Sequence, residues 1–400
     1  MAPVELEWLP AYRLRELIRS KEVSPVELAH LTLERIERLN PELNAFLAVS
    51  AKEAIDSARA AESRAMSGET LGPLDGIPIP IKDIEEVAGV RHTSGSLVFK
   101  DRVATGDSLA VERIRAAGAV IVGKTNTSEF GQIGTCENLL GDACRNPWDT
   151  SLTSGASSAC AAVVVAAGIT AIAQGGDGGG SIRIPAGFCG VYGIKPSQGR
   201  VPRRHGGLDS WRPVKFAQVG PLSRSVRDAA ILLQVLAGPA EDGERDAIQS
   251  PPPDFVSAID HDIKGLRVAW SRDLGGVAVD PAVAAIAEDA ARSFGRAGAT
   301  APGRAACLKY ARGDQGRVNS SSARYNPGDM FSGGGSGRRT VNVNTNPATS
   351  ERTLAPGGMA TGKARLPPSS RVSPSVIVAS PAAMHSRPRG QRESASIEMN

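Results

Sequence analysis

The chain has few of the residues from which metal or disulfide frameworks are built. It has five cysteines in 400 residues, Cys136, Cys144, Cys160, Cys189 and Cys307. The number is odd and no paired CxxC spacing occurs, so free thiols in a reducing compartment are expected, with no metal. No secretory leader is visible, because residues 1–14 carry acids and lack an apolar core of the right length. No apolar run reaches spanning length either. The most apolar stretch, 159–173, is too short for a bilayer and reads as a buried helix. Together these absences predict a cytoplasmic soluble protein with no membrane partner.

Strong charge is also lacking where it would matter. The formal net charge is +4, but from residue 301 onward 14 basic residues face 5 acidic ones, leaving −5 on residues 1–300. The basic balance belongs to the tail and gives no reason to expect nucleic acid on the main body.

What is present is a pattern of alternating helices and strands. Ser24-Pro25-Val26-Glu27 reads as a helix cap with proline at the first helical position. Leu28, Leu31, Ile36 and Leu39 continue it to Asn40-Pro41. An alanine-rich helix follows over about 50–67. Ile77, Ile79 and Ile81 alternate in a short strand. Residues 107–117, 159–168, 226–236 and 281–297 read as helices, and 119–122, 170–173 and 266–270 as strands. This order predicts an α/β fold with a mixed central sheet flanked by helices. After residue 300 periodicity stops and Gly, Ser, Pro and Arg dominate, a composition that cannot bury enough apolar surface to offset chain entropy.

Three segments carry chemistry. Gly175-Gly176-Asp177-Gly178-Gly179-Gly180-Ser181 could be a plain loop, a phosphate cradle or an oxyanion hole before a nucleophile. The phosphate reading is weakened because no Gly-Lys-Ser/Thr follows and the spacing is not GxGxxG. Ser154-Gly155-Ala156-Ser157-Ser158 opens the apolar helix, where serines ordinarily cap free amides. Lys82 ends an apolar strand, either as a solvated terminus or as a buried lysine whose depressed pKa makes it a base near neutrality.

Taken together the segments resemble the amidase signature family over roughly residues 5–300. The family pattern is a strand ending in Lys-Asp, here Lys82-Asp83. A Gly-Gly-Ser-Ser-Gly-Gly-Ser run follows, and then Asp-x-Gly-Gly-Ser-Ile-Arg-x-Pro-Ala, here Asp177 to Ala186. Gly193-Ile194-Lys195-Pro196 closes the signature. Gly123-Lys124-Thr125-Asn126-Thr127 and Gly220-Pro221-Leu222-Ser223 match flanking segments. The resemblance implies a single amidase-signature domain over 1–300, with N-terminal helices in 1–70 and the catalytic core in 71–240. It implies Ser181 as nucleophile, Ser157 after a cis peptide as the bridging serine, and Lys82 as general base. Backbone amides of Gly178, Gly179, Gly180 and Ser181 would form the oxyanion hole, braced by Asp177 and Arg183.

The implied activity is hydrolysis of a carboxamide C–N bond through an acyl-serine, giving a carboxylate and ammonia or an amine. No cofactor or metal is needed. The partner is a small-molecule amide, and a homodimer is left open. The alternatives are a glutaminase-type subunit of a tRNA-dependent amidotransferase and an inactive remnant. His30, His92, His205, His261 and His385 match no catalytic position and read as solvated or structural.

The sequence departs from the family at Ala156, Ala159, Cys160 and Ala161, which replace glycines and a serine, and at Ser128, which replaces a proline. It departs most from residue 301, where a strand is due. The 301–400 text reads as a shifted reading frame of a GC-rich gene, with a disordered tail as the rival reading, so the domain is expected to be cut short there.

Overall fold

Helix starts and stops follow the local signals. In a computed structural model that describes residues 5–204, 217–240, 247–268, 270–273 and 278–299, α1 spans Ala11–Arg19 and α2 spans Pro25–Leu43. Ser24 Oγ accepts from the amides of Val26 and Glu27, capping α2 as the sequence predicts. The helix runs past Pro41, which sits in its last turn, and ends at Asn44 in the left-handed region. Strand β1, Phe46–Val49, leads into α3, Ala51–Ser67. Ala54, Ala58, Ala61 and Ala65 form a buried stripe on α3. Their small size lets the helix lie close against its neighbours.

β2 spans Pro78–Lys82, α4 Leu109–Ala116 and β3 Val120–Thr125. β3 is central, antiparallel to β1 and parallel to β2, so this sheet is mixed. Lys82 pairs with Thr125 and Ile81 with Lys124. Because side chains alternate along a strand, Lys82 and Lys124 leave on opposite faces. Gly123, at φ 147°, has no room for a side chain, since a Cβ there would lie 2.3 Å from the Ala48 carbonyl oxygen.

α5, Ala159–Ala166, precedes β4, Ile172–Asp177, and α6, Arg183–Cys189, precedes β5, Tyr192–Gly193. β6, Gln218–Ser223, lies between β4 and β5, antiparallel to both. α7 spans Val226–Leu236 and α8 Pro281–Arg296. The strands thus fall into two three-stranded groups. β2 meets β4 between them, where the Lys82 amide donates to Gln174 Oε1 at 2.9 Å. α5 is apolar on all sides and buried from Ala159 to Val165, as a helix without a polar face must be. It packs on β2, β4, β6 and α6 and fixes the level at which its own N-terminus meets the end of β2.

Some expectations shift. The strand expected at 170–173 begins at Ile172 and runs to Asp177. Among the described residues no strand element forms over 266–270. Leu266 is exposed there, and Arg267 takes part in a β-bridge. β6 is a strand that the sequence conceals, because Pro221 sits inside it opposite Gln174, where a missing amide argues against a central strand. The region 301–400 lies outside the described residues, as does Cys307.

Candidate active site

The end of β2 delivers Lys82 into the protein at 3% exposure. Its Nζ donates to Ser157 Oγ at 2.7 Å and to Ser158 Oγ at 3.0 Å, and lies 3.4 Å from the Gly176 carbonyl oxygen. Burial pushes the lysine down from its ordinary 10.5 to about 7. Cys136, Asp177 and Glu85 favour its charged form, and Arg203 opposes it. The sequence leaves a solvated and a buried lysine open; the residue is buried.

Ser157 and Ser158 stand at the start of α5, and the Ala156–Ser157 peptide is cis. The Ser157 carbonyl accepts from Thr127 Oγ1 at 3.0 Å. Ser158 is the better anchored of the two. Its hydroxyl donates to the Gly176 carbonyl at 2.9 Å and accepts from the Gly176 amide at 3.1 Å. Its amide donates to the Ser181 carbonyl at 3.0 Å. Ser158 therefore joins Lys82, β4 and the Ser181 segment, a role that sequence reading misses. Its only signal is adjacency to Ser157. Thr127 likewise carries no functional signal in the sequence beyond its motif. Ala156, Ala159, Cys160 and Ala161 are all buried, where small side chains fit.

The turn after β4 is built around Asp177. Its carboxylate accepts from the amides of Gly180 at 2.8 Å, Ile182 at 3.1 Å and Arg183 at 3.3 Å. It also takes a two-pronged contact from Arg183, with Nε and Nη2 each at 2.9 Å. Burial works to raise the Asp177 carboxyl, but the Arg183 guanidinium and the amides outweigh it, and the group stays below the usual carboxylate range. The Gly180 amide, expected in the oxyanion hole, is thus already engaged by Asp177. Among the described residues no hydrogen bond occupies the amides of Gly178, Gly179 and Ser181. Gly180 takes φ 124°, and a Cβ there would meet Ile184 Cδ1 at 2.8 Å.

Ser181 is half-buried. Among the described residues no hydrogen bond joins its hydroxyl to that of Ser157, so the Lys82–Ser157 half of the expected relay is formed and the Ser157–Ser181 half is open. Relay contacts of this kind commonly tighten only when substrate binds.

Beneath the site lies a charged layer. Lys124 Nζ meets Asp83 Oδ1 at 2.7 Å with both side chains fully buried. Asp83 also accepts from the Thr93 amide at 2.9 Å and from its hydroxyl. His92 is buried beside them, its Nδ1 3.2 Å from the Glu85 carbonyl oxygen. Burial, and then Lys124, push it down to about 4. It is neutral and structural, whereas His30 and His261 are exposed; His205 and His385 lie outside the described residues.

The thiols differ from expectation in one respect. Cys144 and Cys160 come together as a pair with Cα atoms 6.1 Å apart, while Cys136 and Cys189 are free. The Cys136, Cys144 and Cys160 sulfurs lie within 4.8 Å of one another and are buried. Burial pushes the Cys136 thiol up to about 12, the direction expected for an uncharged thiol in apolar surroundings. No helix among the described residues is long and apolar enough to cross a membrane.

This geometry has counterparts among known proteins. A family profile described as Amidase matches residues 27–304. An acylamidase of Rhodococcus erythropolis is 38% identical over 299 residues, covering 75% of this chain and 62% of that protein. A glutamyl-tRNA(Gln) amidotransferase component of Methylococcus capsulatus is 41% identical over 286 residues, covering 70% and 57%. The crystal structure of a bacterial aryl acylamidase of the amidase signature family superposes with a TM-score of 0.69 at 34% identity, covering 74% of this chain and 60% of that one. The chain thus spans about 60% of the length of the relatives it matches.

Proposed function

We propose that this chain, which belongs to the amidase signature family, hydrolyses a carboxamide C–N bond through an acyl-enzyme on Ser181. The observation that carries the reading is the buried Lys82 Nζ, 2.7 Å from Ser157 Oγ and with its pKa lowered to about 7. An ammonium cannot take a proton, whereas a neutral amine at that position can.

A serine hydroxyl is a weak nucleophile until a neighbour removes its proton. Neutral Lys82 takes the proton of Ser157, and Ser157 takes that of Ser181 as Ser181 Oγ bonds to the amide carbon. Negative charge then develops on the carbonyl oxygen, and the amides of Gly178, Gly179 and Ser181 are the donors left to receive it. When the tetrahedral adduct collapses, the C–N bond breaks and the departing nitrogen collects a proton back through Ser157. A water molecule then attacks the acyl carbon by the same relay and frees the carboxylate. Asp177 and Arg183 act by holding the glycine turn in shape.

The site is proposed to lie within an amidase-signature domain over residues 1–300, drawing on 71–240. A small-molecule amide as partner, no nucleic acid, no membrane and a cytoplasmic location belong to the same proposal. The matched glutamyl-tRNA(Gln) amidotransferase component supports a second reading, release of ammonia from glutamine within a larger complex.

A fluorophosphonate probe, read by mass spectrometry, tests the chemistry without knowledge of the substrate. The adduct is expected on Ser181, and Ser181→Ala is expected to abolish it. The labelling rate should rise about tenfold from pH 6 to pH 8 and then level, because a base of pKa near 7 goes from about one-tenth to about nine-tenths neutral. An adduct on Ser157 or Ser158 with Ser181 free would overturn the assignment. A rate still rising log-linearly past pH 9 would overturn the depressed lysine. Turnover of glutamine but not of aryl or aliphatic amides would favour the second reading.

A further inference from the structure

We propose that the buried Arg203–Glu85 ion pair is a positioning device for Lys82, clamping the turn that follows β2 and balancing the charge around the Nζ; the inference rests on Lys82 acting as the base. The pair lies outside the residues that the relay uses. Arg203 Nη2 meets Glu85 Oε1 at 3.1 Å, with the side chains 8% and 6% exposed. Glu85 is three positions past Lys82, and the turn is tight. The amides of Ile84 and Glu85 both donate to the Lys82 carbonyl, at 2.8 and 3.0 Å. The Glu85 carbonyl faces His92 Nδ1. Whatever fixes Glu85 therefore fixes the backbone from which the lysine side chain departs.

Arg203 is itself held. The Leu109 amide donates to the Arg204 carbonyl at 2.9 Å, the Gly199 amide donates to Gln218 Oε1 at 3.2 Å, and Val201 and Pro202 between them are buried. The segment after the serine loop thus reaches across to the lysine turn, and the Arg203–Glu85 pair joins the two.

Charge gives the pair its second role. The groups facing Lys82 are Asp177, held by Arg183, the Cys136 thiol, Glu85 and Arg203. On the other face of the sheet lie Asp83 with Lys124, and His92 with Glu86 and Arg102 around it. Glu85 favours an ammonium at Lys82 and Arg203 disfavours it. Intact, the two act in opposite senses, and burial is the largest influence on the lysine. Arginine stays charged when its partner is removed, so Glu85→Gln leaves an unopposed positive charge near the Nζ. The acid limb should then move to lower pH. Arg203→Gln removes the positive charge and should move it the other way.

The test is the pH dependence of fluorophosphonate labelling of Ser181 in the full chain, for wild type, Glu85→Gln, Arg203→Gln and the double variant. Glu85→Gln is expected to shift the acid limb down by about 0.5–1 pH unit, the size of one unit charge acting across several ångströms of protein. Arg203→Gln is expected to show no downward shift, and the double variant to return to within about 0.3 unit of wild type. Each variant should also label more slowly at the plateau, from the loosened turn. Slower labelling with an unmoved acid limb in Glu85→Gln, or a downward shift in Arg203→Gln, overturns the inference. The double variant keeps the interior neutral and reports even where a single variant fails to fold. Failure of wild type to label Ser181 at all rejects the underlying reading and this inference with it, whereas labelling with unshifted profiles rejects this inference alone.

Discussion

Replacing Lys82 with methionine should remove activity and at the same time stabilise the fold near neutral pH. In the unfolded chain the lysine titrates at its ordinary 10.5, and in the folded chain at about 7. Between those values the unfolded state binds the extra proton, so stability rises with pH across that window. The cost of holding the lysine is therefore fully present below about pH 7 and gone above about 10.5. One pH unit corresponds to about 1.4 kcal/mol, which puts the cost at about 4–5 kcal/mol. Lys82→Met escapes that cost but forfeits the Nζ contacts to Ser157, Ser158 and the Gly176 carbonyl, at about 0.5–1.5 kcal/mol each. Ser158 keeps its own bond to Gly176, so the hydroxyls are not all orphaned. The variant is expected to be about 1–3 kcal/mol more stable at pH 6 and to lose that advantage, or fall behind, by pH 10. Urea midpoints at several pH values, taken with the m-value, measure the difference. Labelling of Ser181 should drop by about 10²–10⁴-fold. A difference in stability that does not change with pH would refute the reasoning, and so would a variant that is less stable at pH 6.

The Asp177 carboxylate is expected to hold the turn before Ser181 through charge as well as shape. Asp177→Asn should slow labelling by about 10²-fold, comparable to removing one oxyanion donor in other hydrolases. Because its folded pKa is depressed, the stability that Asp177 contributes is present above its ordinary range and lost as the pH falls. The variant should therefore lose less stability on acidification than the wild type, and an equal loss would argue against the charge. In the buried layer, Asp83→Ala or Lys124→Met alone should cost about 3–5 kcal/mol, whereas the double change should cost less than the sum. Additive costs in a double-mutant cycle would mean that the two side chains do not act as a pair.

The sequence is most informative where a motif packs several functions into neighbouring positions. Asp177 to Arg183 is such a run. The carboxylate, the glycines, the serine and the arginine all serve one turn, so local spelling reveals local geometry. Ser157 and Lys82 are legible for a similar reason, the one lying just before a helix and the other closing a strand at a tight turn. What escapes notice depends on chain segments meeting at a distance. Glu85 and Arg203 are separated by 118 positions, and neither stands in a pattern that distinguishes it from a solvated charge. Lys124 stands in a recognisable motif, but its direction follows from strand register, which is fixed only once β2 lies beside β3. The spelling around His92 suits a solvated or a structural residue, and burial decides it. β6 is hidden by Pro221, whose missing amide is tolerated inside a short sheet. The proximity of Cys144 and Cys160 arises because the loop through Cys144 returns over the first turn of α5, and the Cys144 carbonyl there accepts from Ser154 Oγ at 2.8 Å.

The placement of Lys82 at the start of α5 makes the burial argument stronger than desolvation alone. Ser158 is the residue before the first turn of that helix, and Lys82 Nζ is 3.0 Å from its hydroxyl. A helix N-terminus carries a partial positive charge, which disfavours a cation and favours an anion. The same terminus that discourages an ammonium at Lys82 keeps the amine neutral before the proposed reaction, and it also favours negative charge on the serine oxygens in front of it, which eases the loss of their protons. An exposed lysine would gain nothing from this, because solvent would screen the field. A lysine at the C-terminal end of a helix would be held in its charged form. The strand β2 brings the amine to this point, the apolar α5 excludes water from it, and the glycine turn after β4 supplies the remaining amides. Substituting Ser158 should consequently do more harm than its absence from the proton relay suggests. It ties the Gly176 backbone, the Ser181 carbonyl and the Lys82 amine to one hydroxyl and one amide, and these ties hold the proposed base and the proposed nucleophile in register.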